Sequence, residues 1–486
     1  MSQIRKEMVH GVFWSAVEKY SNLVVSICVT MILARLLSPK EYGVIAIATV
    51  IISFLQMFCT MGLGPAIIQR DDLNEKNLNS IFTFSLVVGL LLATLFFLAS
   101  GLVAEFYGEP LLKPVCRILS IQVFFAAANM VPNALMNKNK KFKDLARRTL
   151  ALHVLSGSVS IVMAWRGAGV YALLVSPVFS AIGIFIWNRF FYKVNVDFSF
   201  DMEPMKRVFS FAFYQFMFDF VNYFSRNLDK IIIGKCMGVN ALGVYEKSYR
   251  LMQLPLNNIS SVINPVLQPV LKTLQNDRVE LSLKYQKVVR FVATLSFPIG
   301  VFLAGTAYEV IHIFYGARWD NAIPVFRILA LSLPLQMILS TSGAICMVCN
   351  NTKMQFWLGV RNMMTTVLGF FVAALFFKTI EAVAWAWTLT LLINFFVTYA
   401  LIYRNVLRVS LLPFVKELIK PLICGFLVFL NLYLVKCFLD GNSIMISMMI
   451  KCSSCLGVAL IYFQISKQYD FIEIYRKRKR RGENAT

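Results

Sequence analysis

ARLLSPKEYGVI (Ala34–Ile45) and GKCMGVNALGVY (Gly234–Tyr245) lie 200 positions apart and align without a gap. Gly43 and Val44 fall on Gly243 and Val244, and the same offset carries Pro65 onto Pro265. A second stretch agrees independently. EFYGEPLLKPVCRIL (Glu105–Leu119) matches IFYGARWDNAIPVFRIL (Ile313–Leu329) after a two-residue insertion, so that Arg117 corresponds to Arg327. Self-similarity of this kind marks an internally duplicated architecture.

The solvent of that architecture follows from composition. Hydrophobic residues make up 58% of the 486 and charged residues 15%, with a mean hydropathy of +0.67. A soluble chain carries about 25% charged residues; this one lacks the polar side chains to cover a soluble surface. Apolar runs of about 20 residues recur, long enough to cross roughly 30 Å of hydrocarbon. They centre near Val24, Ile52, Val88, Val123, Ile161, Val178, Phe220, Leu256, Pro298, Leu335, Leu368, Leu392, Phe429 and Gly457. The reading is an all-α polytopic membrane protein with about 14 transmembrane helices. Helices one to six (1–205, N-lobe) and seven to twelve (206–410, C-lobe) are two parallel copies around a central cavity. Two extra helices (411–466) and a basic tail (467–486) follow. Parallel repeats of this kind place a binding site between two rocking halves.

The formal charge of +23 raises the question of nucleic acid, and its distribution answers it. Lys138, Lys140, Lys141, Lys143, Arg147 and Arg148 share the fourth connection, and Arg404, Arg408, Lys416 and Lys420 the twelfth. Odd-numbered connections mostly carry one basic residue each, such as Lys113, Arg166, Arg318, Lys378 and Lys436. This is the positive-inside pattern, which puts both termini in the cytoplasm. It reads the RKRKRR tail (Arg476–Arg481) as a lipid-surface signal and not as a nucleic-acid patch. The N-terminus shows no cleavable signal pattern. The spacings Cys346/Cys349 and Cys452/Cys455 stand in apolar helices without acidic or histidine neighbours, and the three histidines show no ligand spacing. No metal and no cofactor is expected, beyond a possible coupling H+ or Na+.

Charge at the bilayer centre costs roughly 2.5–3.5 kcal/mol per residue, so the direction of each polar side chain decides its meaning. At about 100° per residue, Gln215, Asp219, Asn222, Arg226, Asp229 and Lys230 share one face of the seventh helix. Glu246, Arg250, Gln253, Asn257, Ser261 and Asn264 share a face of the eighth. Weaker stripes recur on the first helix (Glu18, Asn22 and Ser26, with Lys19 at the edge) and on the second. The surplus of bases points to an anionic passenger, since arginine grips phosphate through two parallel hydrogen bonds. The candidate binding residues are therefore Lys19, Arg226, Lys230, Arg250, Gln253 and Asn257. Glu18, Asp219 and Asp229 are candidates for charge balance or ion coupling, and Lys19 is placed opposite Asp219 by the repeat. An ion pair between Asp229 and Arg226 that serves packing alone is the competing reading for those two. Arg117, Arg327, Glu309 and Lys451 read as helix-end side chains that snorkel.

Four stretches carry a family resemblance: WSAVEKYSNLVVSICVTMILARLLSPKEYGV, GLGPAIIQRDDL, NLDKIIIGKCMGVNALGVYEKSYRLMQLP and FYGARWDNAIPVFRIL. In this order they resemble the polysaccharide-exporting flippases of the multidrug/oligosaccharidyl-lipid/polysaccharide superfamily, in the branch of the colanic-acid and teichuronic-acid exporters. The likeness thins through the last two helices. It implies a two-lobed helical fold whose V-shaped cavity is lined by helices one, two, seven and eight. It also implies transfer of an undecaprenyl-diphosphate-linked oligosaccharide to the outer leaflet of the bacterial inner membrane, coupled to a proton or sodium gradient. Membrane lipids, and the polymerase and glycosyltransferases of the same pathway, are the implied partners. Of the family's pattern, Asn227, Asp229 and Gly234 carry over position by position.

Two rivals remain within the superfamily, a peptidoglycan-precursor exporter and a multidrug exporter. Cationic drugs need exposed acids in the cavity, which disfavours the second. A membrane-embedded glycosyltransferase or polymerase needs acids converging on an active site. Asp71, Asp72 and Glu75 share one short connection with nothing opposite, so no catalytic residue is assigned. No G-x-x-x-x-G-K-[ST] loop is present for an ATP-driven pump.

Overall fold

The computed structural model describes residues 2–60, 63–69, 73–191, 220, 223–224, 227–438 and 443–466. Among these the chain is helical and contains no strand. In order the helices are α1 (Ser2–Leu36), α2 (Pro39–Thr60), α3 (Leu63–Gln69), α4 (Glu75–Tyr107), α5 (Leu112–Ala128), α6 (Met130–Lys138), α7 (Phe142–Trp165) and α8 (Val170–Phe191). Residues 227–236 form α9. Then come α10 (Gly238–Lys272), α11 (Arg278–Gly305), α12 (Ala307–Phe314), α13 (Ala322–Leu339), α14 (Ser342–Val348), α15 (Thr352–Val372), α16 (Ile380–Leu401), α17 (Leu412–Phe438) and α18 (Ile444–Ile465).

Among the described residues eleven spans are long and apolar enough to cross a membrane, and α5 with α6, bent by 41° at Asn129, makes a twelfth when joined. The protein is a multi-pass membrane protein. Two of the apolar runs read from the sequence are not among these spans. The run near Phe220 lies largely outside the described residues, as do the expected 205/206 lobe boundary and the basic tail. The run near Leu256 is α10, whose 35 residues extend about 52 Å but carry the polar stripe that lowers its hydropathy.

Helix ends follow local chemistry. Ser38 and Glu41 form a capping box around Pro39: the Ser38 N–H and Oγ donate to Glu41 Oε2 at 2.6 and 2.8 Å. Proline at the first helical position loses only an N–H that had no intrahelical partner. The end of α4 is closed by Gly108 in the left-handed region (φ +66°), with the Glu109 N–H donating to Ala104 O at 3.0 Å. Asp277 caps α11 by accepting from the Val279 and Glu280 amides.

The chain divides into two compact units, Met1–Gly243 and Val244–Thr486, with the division inside α10. In the first, α4 packs on α5, α5 on α8, α7 on α8 and α1 on α7. Aromatic side chains Phe220, Tyr223 and Phe224 pack on Phe54 of α2, and the Tyr223 hydroxyl donates to Val50 O at 2.9 Å. In the second, α11 packs on α13, α13 on α16, α15 on α16, and α17 on both α11 and α18. Tyr285, Tyr399 and Tyr403 are buried there, with the Tyr285 and Tyr399 hydroxyls 3.0 Å apart.

Candidate functional site

Two faces of α10 behave differently. Tyr245, Ser248, Leu251 and Met252 recur at helical spacing and are buried. The Ser248 hydroxyl donates to Ala322 O at 3.3 Å, and farther along Ser260 and Ser340 lie 3.2 Å apart. That face is held against α13 and the turn that follows it. On the other face Arg250 and Asn257 are exposed and Gln253 is half-buried. Arg250 makes no hydrogen bond or ion pair among the described residues. Its guanidinium presents a planar fork of donors, the geometry that binds one phosphate through two parallel hydrogen bonds. Gln253 and Asn257 add neutral donors and acceptors within two turns, the chemistry suited to sugar hydroxyls.

The remaining candidates lie in the first unit. Asp229 is buried on α9 and its Oδ1 accepts the Lys230 N–H at 2.8 Å, while Lys230 is half-buried. Asn227 donates to Tyr223 O at 3.0 Å, so it serves the helix locally. On α1, Glu18 is half-buried and Lys19 exposed. The charge of Glu18 acts on Arg148 and His153 of α7, which packs against α1. Arg226 and Asp219 lie outside the described residues, and with them the pairings Lys19–Asp219 and Asp229–Arg226.

Three clusters escaped the sequence reading. Arg148 stands not in a connection but one and a half turns into α7, 5% exposed. It donates through Nη1 to Asn133 Oδ1 at 2.9 Å and to Asn188 Oδ1, and Asn188 in turn donates to Asn129 Oδ1 at 3.3 Å. Asn129 and Asn133 of this cluster line a cavity of about 450 Å³ together with Gln56, Gln122, His153 and Ser176. In the second unit Arg361 of α15 donates to Thr398 Oγ1 at 2.8 Å, to Asn394 O at 3.3 Å and to Asn362 Oδ1, while its Nε and Nη1 are buried without partners. A lone arginine midway along an apolar helix was the available signal; its partners on α16 are the Thr398 hydroxyl and the Asn394 backbone carbonyl.

Glu309 and Lys451 do not snorkel. Both are buried, and the Lys451 ammonium and the Ser447 hydroxyl both donate to Glu309 Oε1, the latter at 2.9 Å. The pair ties α12 to α18. Among the described residues no group of three or more His, Cys, Asp or Glu is placed to hold a metal ion, and all ten cysteines are free thiols.

Comparison with known proteins agrees with this architecture. The family model described as "Polysaccharide biosynthesis protein" matches residues 32–324. The teichuronic acid biosynthesis protein TuaB of Bacillus subtilis is 25% identical over 423 residues, 87% of each chain. The succinoglycan biosynthesis transport protein ExoT of Rhizobium meliloti is 23% identical over 384 residues, 78% of this chain and 77% of that one. Among solved structures, the lipid II flippase MurJ in an inward closed conformation superposes with a TM-score of 0.73 at 16% identity, covering 95% of this chain and all of that one. At that identity the likeness speaks for the fold alone. The match over residues 32–324 settles the family: this chain belongs to the polysaccharide biosynthesis protein family.

Proposed function

We propose that this protein is a flippase of the bacterial cytoplasmic membrane. It moves a polyprenyl-diphosphate-linked oligosaccharide from the cytoplasmic to the outer leaflet for assembly of a cell-surface polysaccharide. The observation that carries the reading is the Arg250–Gln253–Asn257 stripe, turned away from the packed face of α10 in a chain of the polysaccharide biosynthesis family. Arg250, Lys19, Lys230 and Arg226 are the residues assigned to the diphosphate, and Gln253 and Asn257 those assigned to the sugars. Glu18, Asp219 and Asp229 balance that charge or carry the coupling ion, H+ or Na+. The protein acts by transport and not by catalysis, beside the glycosyltransferases and polymerase of its pathway.

Alternating access of two six-helix lobes is the mechanism, with about fourteen helices and both termini in the cytoplasm. The helix pairings support the duplication. α4 on α5, α5 on α8 and α7 on α8 in the first unit recur as α11 on α13, α13 on α16 and α15 on α16 in the second. The bend at α5/α6 has its counterpart in the break between α13 and α14.

The test is leaflet-resolved accessibility of a lipid-linked oligosaccharide in vesicles with and without the purified protein. Ion-dependent arrival at the far leaflet, lost in Arg250→Ala, is the expected result. Transfer of the peptidoglycan precursor lipid and of no other lipid-linked glycan would assign the rival passenger. No transfer of any lipid-linked glycan by folded protein would overturn the reading.

A further inference from the structure

The second unit contains a cavity of about 500 Å³ that is apolar along its length and cationic at one end. Phe297 and Val301 of α11, Leu331 of α13, and Leu422, Phe426 and Phe429 of α17 supply the apolar walls. Arg327 of α13 and Lys436 of α17 supply the cations. Along α17 the lining runs from Leu422 to Lys436, about 21 Å at 1.5 Å per residue. That is longer than one leaflet, which is half of a hydrocarbon core of roughly 30 Å. The groove opens outward, since Leu422, Phe426 and Phe429 are 53%, 64% and 55% exposed.

The cations are the telling feature. Arg117, which the repeat aligns with Arg327, is held within its own unit: its Nε donates to Ser100 Oγ at 3.3 Å and its guanidinium lies 5.0 Å from the Phe97 ring centroid. Arg327 has no such partner, and neither Arg327 nor Lys436 makes a hydrogen bond, ion pair or ring contact among the described residues. Two uncommitted bases meet at the end of the groove where α11 and α17 finish and α13 begins.

We infer that this groove binds an anionic glycerophospholipid of the bilayer, with one acyl chain along the apolar side chains of α11, α13 and α17 and its phosphate at Arg327 and Lys436. Basic pockets between transmembrane helices recognise lipid head groups in this way, and arginine supplies the bidentate phosphate contact. The site is separate from the Arg250 stripe and concerns a resident lipid, not the transported one. On the topology proposed above, its head-group end lies in the outer leaflet.

The experiment is native mass spectrometry and thermal melting of the full chain, delipidated and then supplied with phosphatidylglycerol, phosphatidylcholine or undecaprenyl phosphate. The wild type is expected to retain phosphatidylglycerol over phosphatidylcholine by roughly tenfold or more. Arg327→Gln with Lys436→Gln is expected to abolish the preference. Both side chains are exposed, so the double variant should fold; a Leu422→Trp variant, which narrows the groove but keeps both charges, should lose retention of every acyl lipid. Equal retention of the two phospholipids, a preference unchanged in the double variant, or stronger retention of undecaprenyl phosphate than of phosphatidylglycerol would each overturn the assignment. Flipping measured in parallel separates the two readings: loss of lipid preference with intact flipping leaves the proposed function standing.

Discussion

Gly43 of α2 and Gly243 of α10 cross with no room for a side chain on either. A methyl group built on Gly43 would sit 1.6 Å from Val239 O, and one built on Gly243 would sit 1.9 Å from Pro39 O. The two glycines stand 200 positions apart, and so do the two carbonyls they meet. The aligned glycines of the repeat thus meet one another, each against the partner helix's first turn. Backbone carbonyls, unlike side-chain ends, have no rotamer by which to withdraw.

Gly43→Ala and Gly243→Ala are accordingly expected to push α2 off α10 and to lower stability by about 1–3 kcal/mol, the usual cost of overpacking. Gly101 of α4 has nothing within 4 Å of an added methyl group, so Gly101→Ala serves as the control and should leave stability unchanged or higher. Thermal unfolding in detergent, followed by size-exclusion recovery, reads both. Wild-type stability in both crossing variants would show that the folded protein does not need this approach.

Breaking the buried Glu309–Lys451 pair leaves a charge without its counter-ion. Lys451→Met and Glu309→Gln are each expected to destabilise by about 3–5 kcal/mol. The double variant Glu309→Gln with Lys451→Met removes both charges and should cost clearly less than the sum. A double-mutant cycle on the melting free energies checks it; additive losses would mean that the two charges do not act as a pair.

The Arg148 cluster predicts a similar coupling among polar groups. Asn188→Ala removes an acceptor from a buried guanidinium and should cost about 1.5–3 kcal/mol, the range for hydrogen bonds to charged groups. With Arg148→Met already present, Asn188→Ala should cost little further. Equal losses in the two backgrounds would separate Asn188 from Arg148.

Arg250 is expected to behave differently because it is exposed. Arg250→Ala should leave the melting temperature and membrane abundance near wild type and abolish transfer of a lipid-linked oligosaccharide. Arg250→Lys should retain part of the activity, since an ammonium keeps the charge but loses the bidentate geometry. Full transfer by Arg250→Ala would remove the residue from the passenger's path.

Membrane class was legible from composition, because a lipid solvent selects apolar side chains over long, countable runs. The polar face of α10 was legible too: a period of about 3.6 residues assigns each side chain to a face before any packing is known. Gly43 and Gly243 already stand on one another in the 200-position alignment of the sequence with itself. Periodicity says nothing, however, about which neighbouring helix a polar side chain meets. Glu309 and Lys451 looked like snorkelling residues at opposite ends of the second half, and Arg148 looked like one more base in a cytoplasmic connection.

What the sequence by itself determined is the solvent, the helical class and the polar face of α10, each a property of one-dimensional order. Only the tertiary structure decided that Glu309 meets Lys451 across 142 positions, that Arg148 is enclosed by asparagines from α6 and α8, and that Arg327 is left facing a groove. The physical reason is that a buried charge is tolerated only where a particular partner arrives. Arrival depends on how helices far apart in the chain pack together, which no local pattern encodes.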